Sequence, residues 1–142
     1  YDLNVGLPAF DRNRFDYVVL SSTLQEVPNV EHLLEEALRV GRRAIVGFTN
    51  FAHRTLRDMF HLEGLAPKAP GSDSYEWYNT PNRRFPSIQD MLDLCDKMGV
   101  TVEKARYYDD TQGRIVSDKE DPNLAAETAL LVLSKNGGNS DA

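Results

Sequence analysis

The run from Phe15 to Gln25 constrains the fold of this chain more than any other segment. A short apolar stretch, Tyr17–Leu20, ends in the small hydroxyl residues Ser21, Ser22 and Thr23, and a helical pattern follows. A continuous apolar run of this length is typical of a strand that is covered on both faces of a sheet. In open α/β sheets the carboxyl ends of such strands line the ligand crevice. The three hydroxyl residues are therefore expected to lie at a ligand-binding edge.

The next segments predict a parallel βαβ unit. Apolar residues repeat at helical spacing from Val30 to Leu38, Asn29 is a suitable N-cap, and Gly41 ends the pattern. Arg43–Phe48 is then predicted to be a second buried strand. Because a helix of only about ten residues separates the two strands, they are expected to be parallel neighbours.

The rest of the chain predicts two more helices and two more strands. A helix is expected within Asn50–Leu62, with three residues facing inward: Leu56, Met59 and Phe60. Another begins at Ser87, with Asp90 at the capping-box position, and stops at Gly99. Strands are predicted at Val100–Tyr108 and Thr128–Ser134, and the polar stretch Asp109–Asn123 between them is predicted to be a mobile excursion.

These elements predict the fold class α/β. The pattern corresponds to the later half of a doubly wound, Rossmann-like sheet, with two parallel strands and a C-terminal antiparallel strand pair. Residues 1–135 are predicted to form a single partial domain, and 136–142 a disordered tail. Only Tyr1–Arg14 precede the first strand, and they contain no glycine-rich turn. The outer edge of that strand is therefore expected to be open, which favours self-association of the chain, or else to be covered by a further N-terminal segment.

Composition excludes several classes of partner and site. The net charge is −6, and the basic clusters Arg42–Arg43 and Arg83–Arg84 are too short for a general nucleic-acid binder. No apolar stretch approaches the ~20 residues that span a membrane. The single cysteine, Cys95, rules out an intrachain disulfide and favours a reducing, cytoplasmic location. The three histidines and this cysteine show no metal-ligand spacing, so no metal site is predicted.

Four blocks of the sequence resemble one known family. Residues 2–25, 32–53, 75–82 and 87–95 are similar to the corresponding blocks of the methionine-biosynthesis protein family MetW, including the segments FDYVVLSSTLQ, HLLEEALRVGRRAIVGFTNFAH, YEWYNTPN and SIQDMLDLC. The resemblance covers roughly Asp2 to Met98. The family's opening strand and its acidic, glycine-rich S-adenosylmethionine (SAM) loop have no counterpart in these 142 residues, and the tail after Arg106 matches poorly.

The resemblance implies a fold like that of class I SAM methyltransferases and a role beside homoserine O-acetyltransferase in methionine synthesis. The alternative is a SAM-dependent methyltransferase that acts on a small molecule, so whether the chain is an enzyme stays open at this point. The implied cofactor of the full-length protein is SAM or S-adenosylhomocysteine. Because the glycine-rich loop is absent from the sequence, this chain is expected to bind the cofactor weakly or not at all.

Five residues are candidates for cofactor binding. The resemblance places Asp2 and Leu3 beside the adenine amino group, where a carboxylate is a good acceptor; otherwise Asp2 is a surface residue. Ser21, Ser22 and Thr23 are placed to contact the methionine part of SAM, and the alternative is that their hydroxyls cap the following helix.

A second group of candidates follows the second strand and the helix after it. His53 is a weak candidate for acid–base catalysis, or else a capping or packing residue, and no catalytic residue is assigned. The other candidates form a predicted substrate or partner loop: Asn50, Phe51, Tyr75, Trp77, Tyr78, Thr80 and Asn82. The aromatic members suit a substrate lid or a protein interface. The alternative is a loop that Trp77 anchors to the core.

Overall fold

The computed structural model describes residue 3, residues 5–69 and residues 74–135. The predicted tail at 136–142 lies outside these residues, so the domain boundary at 135 stays a prediction. The elements, in chain order, are β1 (Phe15–Ser21), α1 (Val30–Val40), β2 (Gly41–Thr49), α2 (Arg54–His61), α3 (Ile88–Met98), β3 (Val100–Asp109), β4 (Arg114–Ile115), α4 (Pro122–Ala125) and β5 (Thr128–Lys135).

The described strands form one sheet in the order β1-β2-β5-β3-β4. The strands β1 and β2 are parallel, as predicted, with Tyr17 beside Arg43. The strand β5 lies between β2 and β3 and is antiparallel to both, so the predicted C-terminal antiparallel pair is also confirmed. It follows that β1, β2 and β3 all end at the same edge of the sheet, which we call the carboxyl edge.

Local capping signals define the two long helices. The Asn29 side chain accepts a hydrogen bond of 3.0 Å from the His32 backbone N–H at the start of α1. Ser87 and Asp90 form a reciprocal capping box at the start of α3. Gly99 ends α3 with φ 68°, a left-handed conformation that glycine adopts without a Cβ penalty. These helix ends agree with the sequence prediction because each signal acts within one turn of the backbone.

The two faces of the sheet differ in coverage. Helix α1 contacts β1, β2 and β5, and α3 contacts β3. The core against these helices contains Leu20, Val46 and Leu131, all buried. On the opposite face Tyr17 and Val19 are 53% and 65% exposed. The expectation that β1 is covered on both faces is therefore wrong, because no described element packs over its second face.

The open edge of β1 agrees with the sequence prediction. This strand pairs only with β2 among the described residues, so the backbone groups along its other side have no strand partner there. An unpaired edge with exposed apolar side chains is a template for pairing with another chain. Self-association through β1 stays a prediction.

Two predictions about side-chain burial and order are wrong. In α2, Leu56 is buried and Met59 is half-buried, but Phe60 is 68% exposed and does not face inward. The segment Asp109–Asn123 is not an unstructured excursion, because β4 pairs with the end of β3 and α4 begins within it. The Arg114 guanidinium binds both carboxylate oxygens of Glu120, at 2.8 and 2.9 Å, which closes this segment on itself.

A charged pair on α1 holds the segment before β1. The Glu36 carboxylate accepts hydrogen bonds from the Arg39 Nε at 2.6 Å and from the Leu7 backbone N–H at 2.9 Å. The Arg39 guanidinium also donates to the Phe10 and Leu7 carbonyl oxygens, each at 2.9 Å. The Arg39 hydrogen bond, followed by the Leu7 N–H, lowers the pKa of Glu36 from 4.5 to about 2.

We expect Glu36→Gln to lower the free energy of unfolding by about 1–2 kcal/mol at pH 7, because charge-assisted hydrogen bonds are lost. A carboxylate whose pKa is lowered on folding stabilises the fold above its unfolded pKa. This contribution is therefore complete above pH 4.5 and declines as the pH falls toward 2. Urea unfolding at pH 7 and pH 3 tests this, with the exposed neighbour changed as a control, Glu35→Gln. Equal losses in the two variants, or a loss independent of pH, contradict the assignment.

Candidate functional site

The hydroxyl residues lie at the carboxyl edge, where Ser21 is the last residue of β1 and Ser22 and Thr23 follow it. Ser21 and Ser22 are exposed, and Ser22 has φ 53°, an uncommon conformation outside glycine. The Ser22 backbone N–H donates to the Gly47 carbonyl oxygen at 2.9 Å, and the Thr23 hydroxyl donates to the Ser21 carbonyl oxygen at 3.0 Å. The next helix is capped by Asn29, so none of these hydroxyls caps a helix. A role for them in SAM binding stays a prediction.

Of the two N-terminal candidates for cofactor binding, Asp2 and Leu3, the structure describes only Leu3. The Leu3 side chain packs against the hydrophobic core, and its carbonyl oxygen accepts a hydrogen bond of 3.4 Å from the Gly6 backbone N–H. Asp2 lies outside the described residues. The predicted adenine contact at Asp2 and Leu3 therefore stays a prediction.

Asn50 lies just after β2 and is fully buried. Its side-chain nitrogen donates to the Asn123 and Ala126 carbonyl oxygens at 3.0 and 2.8 Å. Its side-chain oxygen accepts from the backbone N–H groups of Ala52 and Ile88 at 3.1 and 3.3 Å. These four hydrogen bonds join the segment before α2 to the start of α3, to α4 and to the residue that follows α4. The amide thus has a clear structural role, and its predicted substrate or partner contact stays untested.

Two buried polar side chains near this edge retain atoms without a partner among the described residues. His53 is 8% exposed and directly precedes α2, but its Nδ1 makes no hydrogen bond and its side chain does not cap the helix. Gln25 is 5% exposed, and its Oε1 is also unpaired. A buried polar atom without a partner costs about 1–3 kcal/mol. The burial of His53 with an unpaired Nδ1 is therefore compatible with a functional role, but no described residue bonds to that atom as a reaction partner.

Glu127 is a buried residue at this edge that the sequence analysis missed. It is 5% exposed, and its carboxylate accepts hydrogen bonds from the backbone N–H and the hydroxyl of Thr111. Its backbone N–H donates to the Tyr108 carbonyl oxygen, and its carbonyl oxygen accepts from the Asn50 N–H, both at 2.8 Å. In the sequence, Glu127 looks like an ordinary surface residue before a strand, so no local signal reveals its burial or its hydrogen bonds to Thr111, Tyr108 and Asn50.

The segment between α2 and α3 concentrates exposed apolar side chains. Thirteen large apolar residues are strongly exposed in the described part of the chain, and seven of them belong to this segment or to the end of α2. We call these seven the aromatic surface: Phe60, Leu62, Leu65, Tyr75, Trp77, Tyr78 and Phe85. Trp77 is 76% exposed, so the alternative that it anchors the loop to the core is wrong. Exposed apolar clusters of this kind mark interaction sites.

A groove of about 860 Å³ separates α2 from residues 65–69 and 75–85. It brings together five of the predicted loop residues, namely Phe51, Tyr75, Trp77, Thr80 and Asn82. Tyr78 lies beside it, with its ring edge-on to that of Trp77 at a centroid distance of 5.5 Å. The groove is mostly apolar, with Arg57, Lys68 and Glu76 as its charged lining residues. The side chains of the last two form an ion pair of 3.5 Å.

The part of the chain that the structure describes contains neither a metal-binding cluster nor a membrane-spanning helix. Those residues contain no cluster of His, Cys, Asp or Glu that suits a metal ion. Within the same residues, no helix is both long enough and apolar enough to cross a membrane. Cys95 is buried in the core, and burial raises the pKa of its thiol, so it is not an activated nucleophile.

Comparison with known proteins decides the family. The sequence profile described as "Methionine biosynthesis protein MetW" matches residues 1–133. The chain belongs to the MetW family. A curated relative is the bifunctional methionine biosynthesis protein MetXA/MetW of Rhodopirellula baltica, 50% identical over 135 residues. The alignment covers 95% of this chain and 22% of that protein, so the chain spans about a fifth of the relative's length.

Solved structures support the predicted fold. A SAM-dependent methyltransferase from Thermotoga maritima matches with a TM-score of 0.57 at 18% identity, over 89% of this chain and 58% of that protein. A second, from Methanosarcina mazei, matches with a TM-score of 0.52 at 13% identity, over 90% of this chain and 62% of that protein. The mixed α/β fold is therefore similar to part of the fold of class I SAM-dependent methyltransferases, as the sequence resemblance implied.

Proposed function

We propose that this chain acts in methionine biosynthesis by binding homoserine O-acetyltransferase through the aromatic surface. The observation that carries this proposal is the concentration of seven exposed apolar side chains at the end of α2 and on the segment that follows it. Membership of the MetW family connects the chain with methionine biosynthesis. The resemblance of its sequence blocks to that family implies that the partner is homoserine O-acetyltransferase. A relative that joins a MetXA part to a MetW part in one polypeptide is consistent with an association of this kind. The cytoplasm is the proposed site of action.

The loop that carries the aromatic surface is fixed at its C-terminal end. The Gln25 carbonyl oxygen accepts hydrogen bonds from the Arg83 and Arg84 backbone N–H groups, at 2.7 and 3.1 Å. The Phe51 N–H donates to the Pro86 carbonyl oxygen at 2.9 Å, and its ring meets that of Phe85 edge-on at a centroid distance of 5.1 Å. A surface that is held in place before binding loses less conformational entropy when a partner docks. These contacts therefore hold one end of the loop in place before a partner binds, which favours its use as a docking surface.

The direct test is complex formation between the full-length protein and homoserine O-acetyltransferase from the same organism. We expect a stable complex with a Kd in the micromolar range or tighter, measured by isothermal titration calorimetry and by co-elution from a sizing column. The absence of any complex at tens of micromolar of each protein contradicts the proposal.

A second candidate function is SAM-dependent methyl transfer to a small molecule. It is favoured by the fold and by the exposed hydroxyls of Ser21 and Ser22 at the carboxyl edge. The described residues fit SAM incompletely, because the Ser22 N–H is bonded to the Gly47 carbonyl oxygen and the sequence contains no acidic glycine-rich loop. We therefore derive no catalytic step from these residues. Calorimetry with SAM tests this candidate, and the chain of 142 residues is expected to give no binding at micromolar concentration.

A further inference from the structure

One arginine lines the groove beside α2 and two more lie close to it in the sequence, and none of the three has a carboxylate partner among the described residues. Arg57 lines the groove, Arg54 is one turn earlier on the same helix, and Arg83 directly follows the lining residue Asn82. None of the three forms an ion pair with a described carboxylate, whereas Arg39 and several other arginines of the chain do. The whole chain has a net charge of −6. The Arg57 Nε donates a hydrogen bond to the Ala52 carbonyl oxygen, so its side chain is positioned at the groove, but its charge has no counter-ion among the described residues of this acidic protein.

The position of Arg54 is electrostatically unfavourable for its own helix. It is the first residue of α2, where the helix dipole favours a negative side chain, and the first turn contains no acidic residue. By contrast, α1 and α3 carry Glu31 and Asp90 in their first turns. A cation at this end destabilises the helix, and no ion pair with a described carboxylate offsets this effect. Residues that break a local rule without a structural gain are expected at functional sites.

The shape of the groove favours a protein segment over a small ligand. Its volume, about 860 Å³, is within the range of small-molecule sites. However, Trp77 on its wall is 76% exposed, and Phe60 is 68% exposed. A small molecule within the groove would leave most of this apolar area in water. A segment that lies along the groove would cover these walls and also reach the arginines.

We propose that the groove binds a segment of homoserine O-acetyltransferase in which apolar anchor residues alternate with aspartate or glutamate. This inference rests on the proposed function and deepens it. The apolar anchors fill the space between α2 and Trp77, as in helix-in-groove recognition. The acidic residues pair with Arg54, Arg57 and Arg83. Such charge pairs at the rim of an interface mainly set the association rate, the salt dependence and the choice of partner.

The test is a pair of charge reversals with equal net charge. One variant is Arg54→Glu with Arg57→Glu in α2. The control is Arg14→Glu with Arg106→Glu, two exposed arginines that also lack a described carboxylate partner but lie away from the groove. We expect the α2 variant to weaken binding to homoserine O-acetyltransferase by about 30-fold or more at 50 mM salt and to flatten its salt dependence. The control is expected to change the affinity by less than about threefold.

The outcomes separate this inference from the proposed function. If the wild-type chain forms no complex, both fail. If the wild-type complex forms and the α2 variant binds as tightly as the control, the groove proposal is overturned while the partner assignment stands. Arg54→Glu places a negative side chain at the start of α2, which favours the helix, whereas Arg57→Glu removes the hydrogen bond from the Arg57 Nε to the Ala52 carbonyl oxygen, so the folding of the variant is checked directly. A thermal transition at or above that of the control verifies that the variant is folded.

Discussion

Asn50→Ala is expected to lower the free energy of unfolding by about 3–5 kcal/mol, a large fraction of the stability of a small domain. The side chain of Asn50 is fully buried and makes four hydrogen bonds, all to backbone groups. Alanine would leave two carbonyl oxygens and two N–H groups without that partner. An unpaired buried group costs about 1–3 kcal/mol, and partial relaxation keeps the total below the sum. Urea unfolding followed by circular dichroism measures the loss.

Two further variants sharpen this test. Asn50→Asp preserves the shape and the two accepted hydrogen bonds but cannot donate to the Asn123 and Ala126 carbonyl oxygens. It also buries a charge, so its cost is expected to match or exceed that of alanine. Asn79→Ala is the control, because this exposed side chain accepts one hydrogen bond, from the Glu76 N–H. Its expected cost is below about 1 kcal/mol. A similarly small cost for both changes at Asn50 would mean that the amide does not hold these loops together.

The elements that could be predicted from sequence are those that local contacts define. The cap at Asn29 and the capping box of Ser87 with Asp90 each join groups three residues apart. Gly99 ends its helix through its own backbone conformation. The parallel pairing of β1 with β2 follows from the short helix between them. Such features depend on a few consecutive residues and need no knowledge of the rest of the fold.

The predictions that failed concern burial and order that specific side-chain contacts and tertiary packing determine, rather than local sequence patterns. The apolar run in β1 looks the same whether one face or both faces are covered, and here Val19 is 65% exposed. Phe60 suits an inward position by spacing alone, but it belongs to the aromatic surface. The segment after β3 is ordered by the pair of Arg114 with Glu120, six residues apart, which no composition rule reveals.

The candidate site illustrates the same limit. A polar residue after a parallel strand predicts the carboxyl edge correctly, and Asn50 does lie there. Its role depends on distances to Asn123, Ala126 and Ile88, which are far away in the sequence. The aromatic loop was recognisable from its composition. The exposure of the loop and its position opposite Arg57 depend on how α2 and the loop pack on the two sides of one groove, and the local sequence does not determine this.

Trp77→Ala and Tyr78→Ala are each expected to weaken binding to homoserine O-acetyltransferase by about 30-fold or more, equivalent to about 2 kcal/mol. Both side chains are at least 70% exposed in the free chain, so most of their apolar area remains to be buried in a complex. Aromatic residues of this kind supply much of the energy of protein interfaces. For the same reason, each change should alter the free energy of unfolding by less than about 0.5 kcal/mol. Calorimetric titration and urea unfolding of each variant measure the two quantities.

Tyr17→Ala is the matched control for the tyrosine change. Tyr17 is 53% exposed, but it lies on the uncovered face of the sheet in β1 rather than on the aromatic surface. We expect its loss to change the affinity by less than about threefold. The reverse pattern, with a strong effect at Tyr17 and none at Trp77 or Tyr78, would move the docking site to the open sheet face. The aromatic surface and the uncovered sheet face are thus alternative docking sites, and three alanine variants distinguish between them.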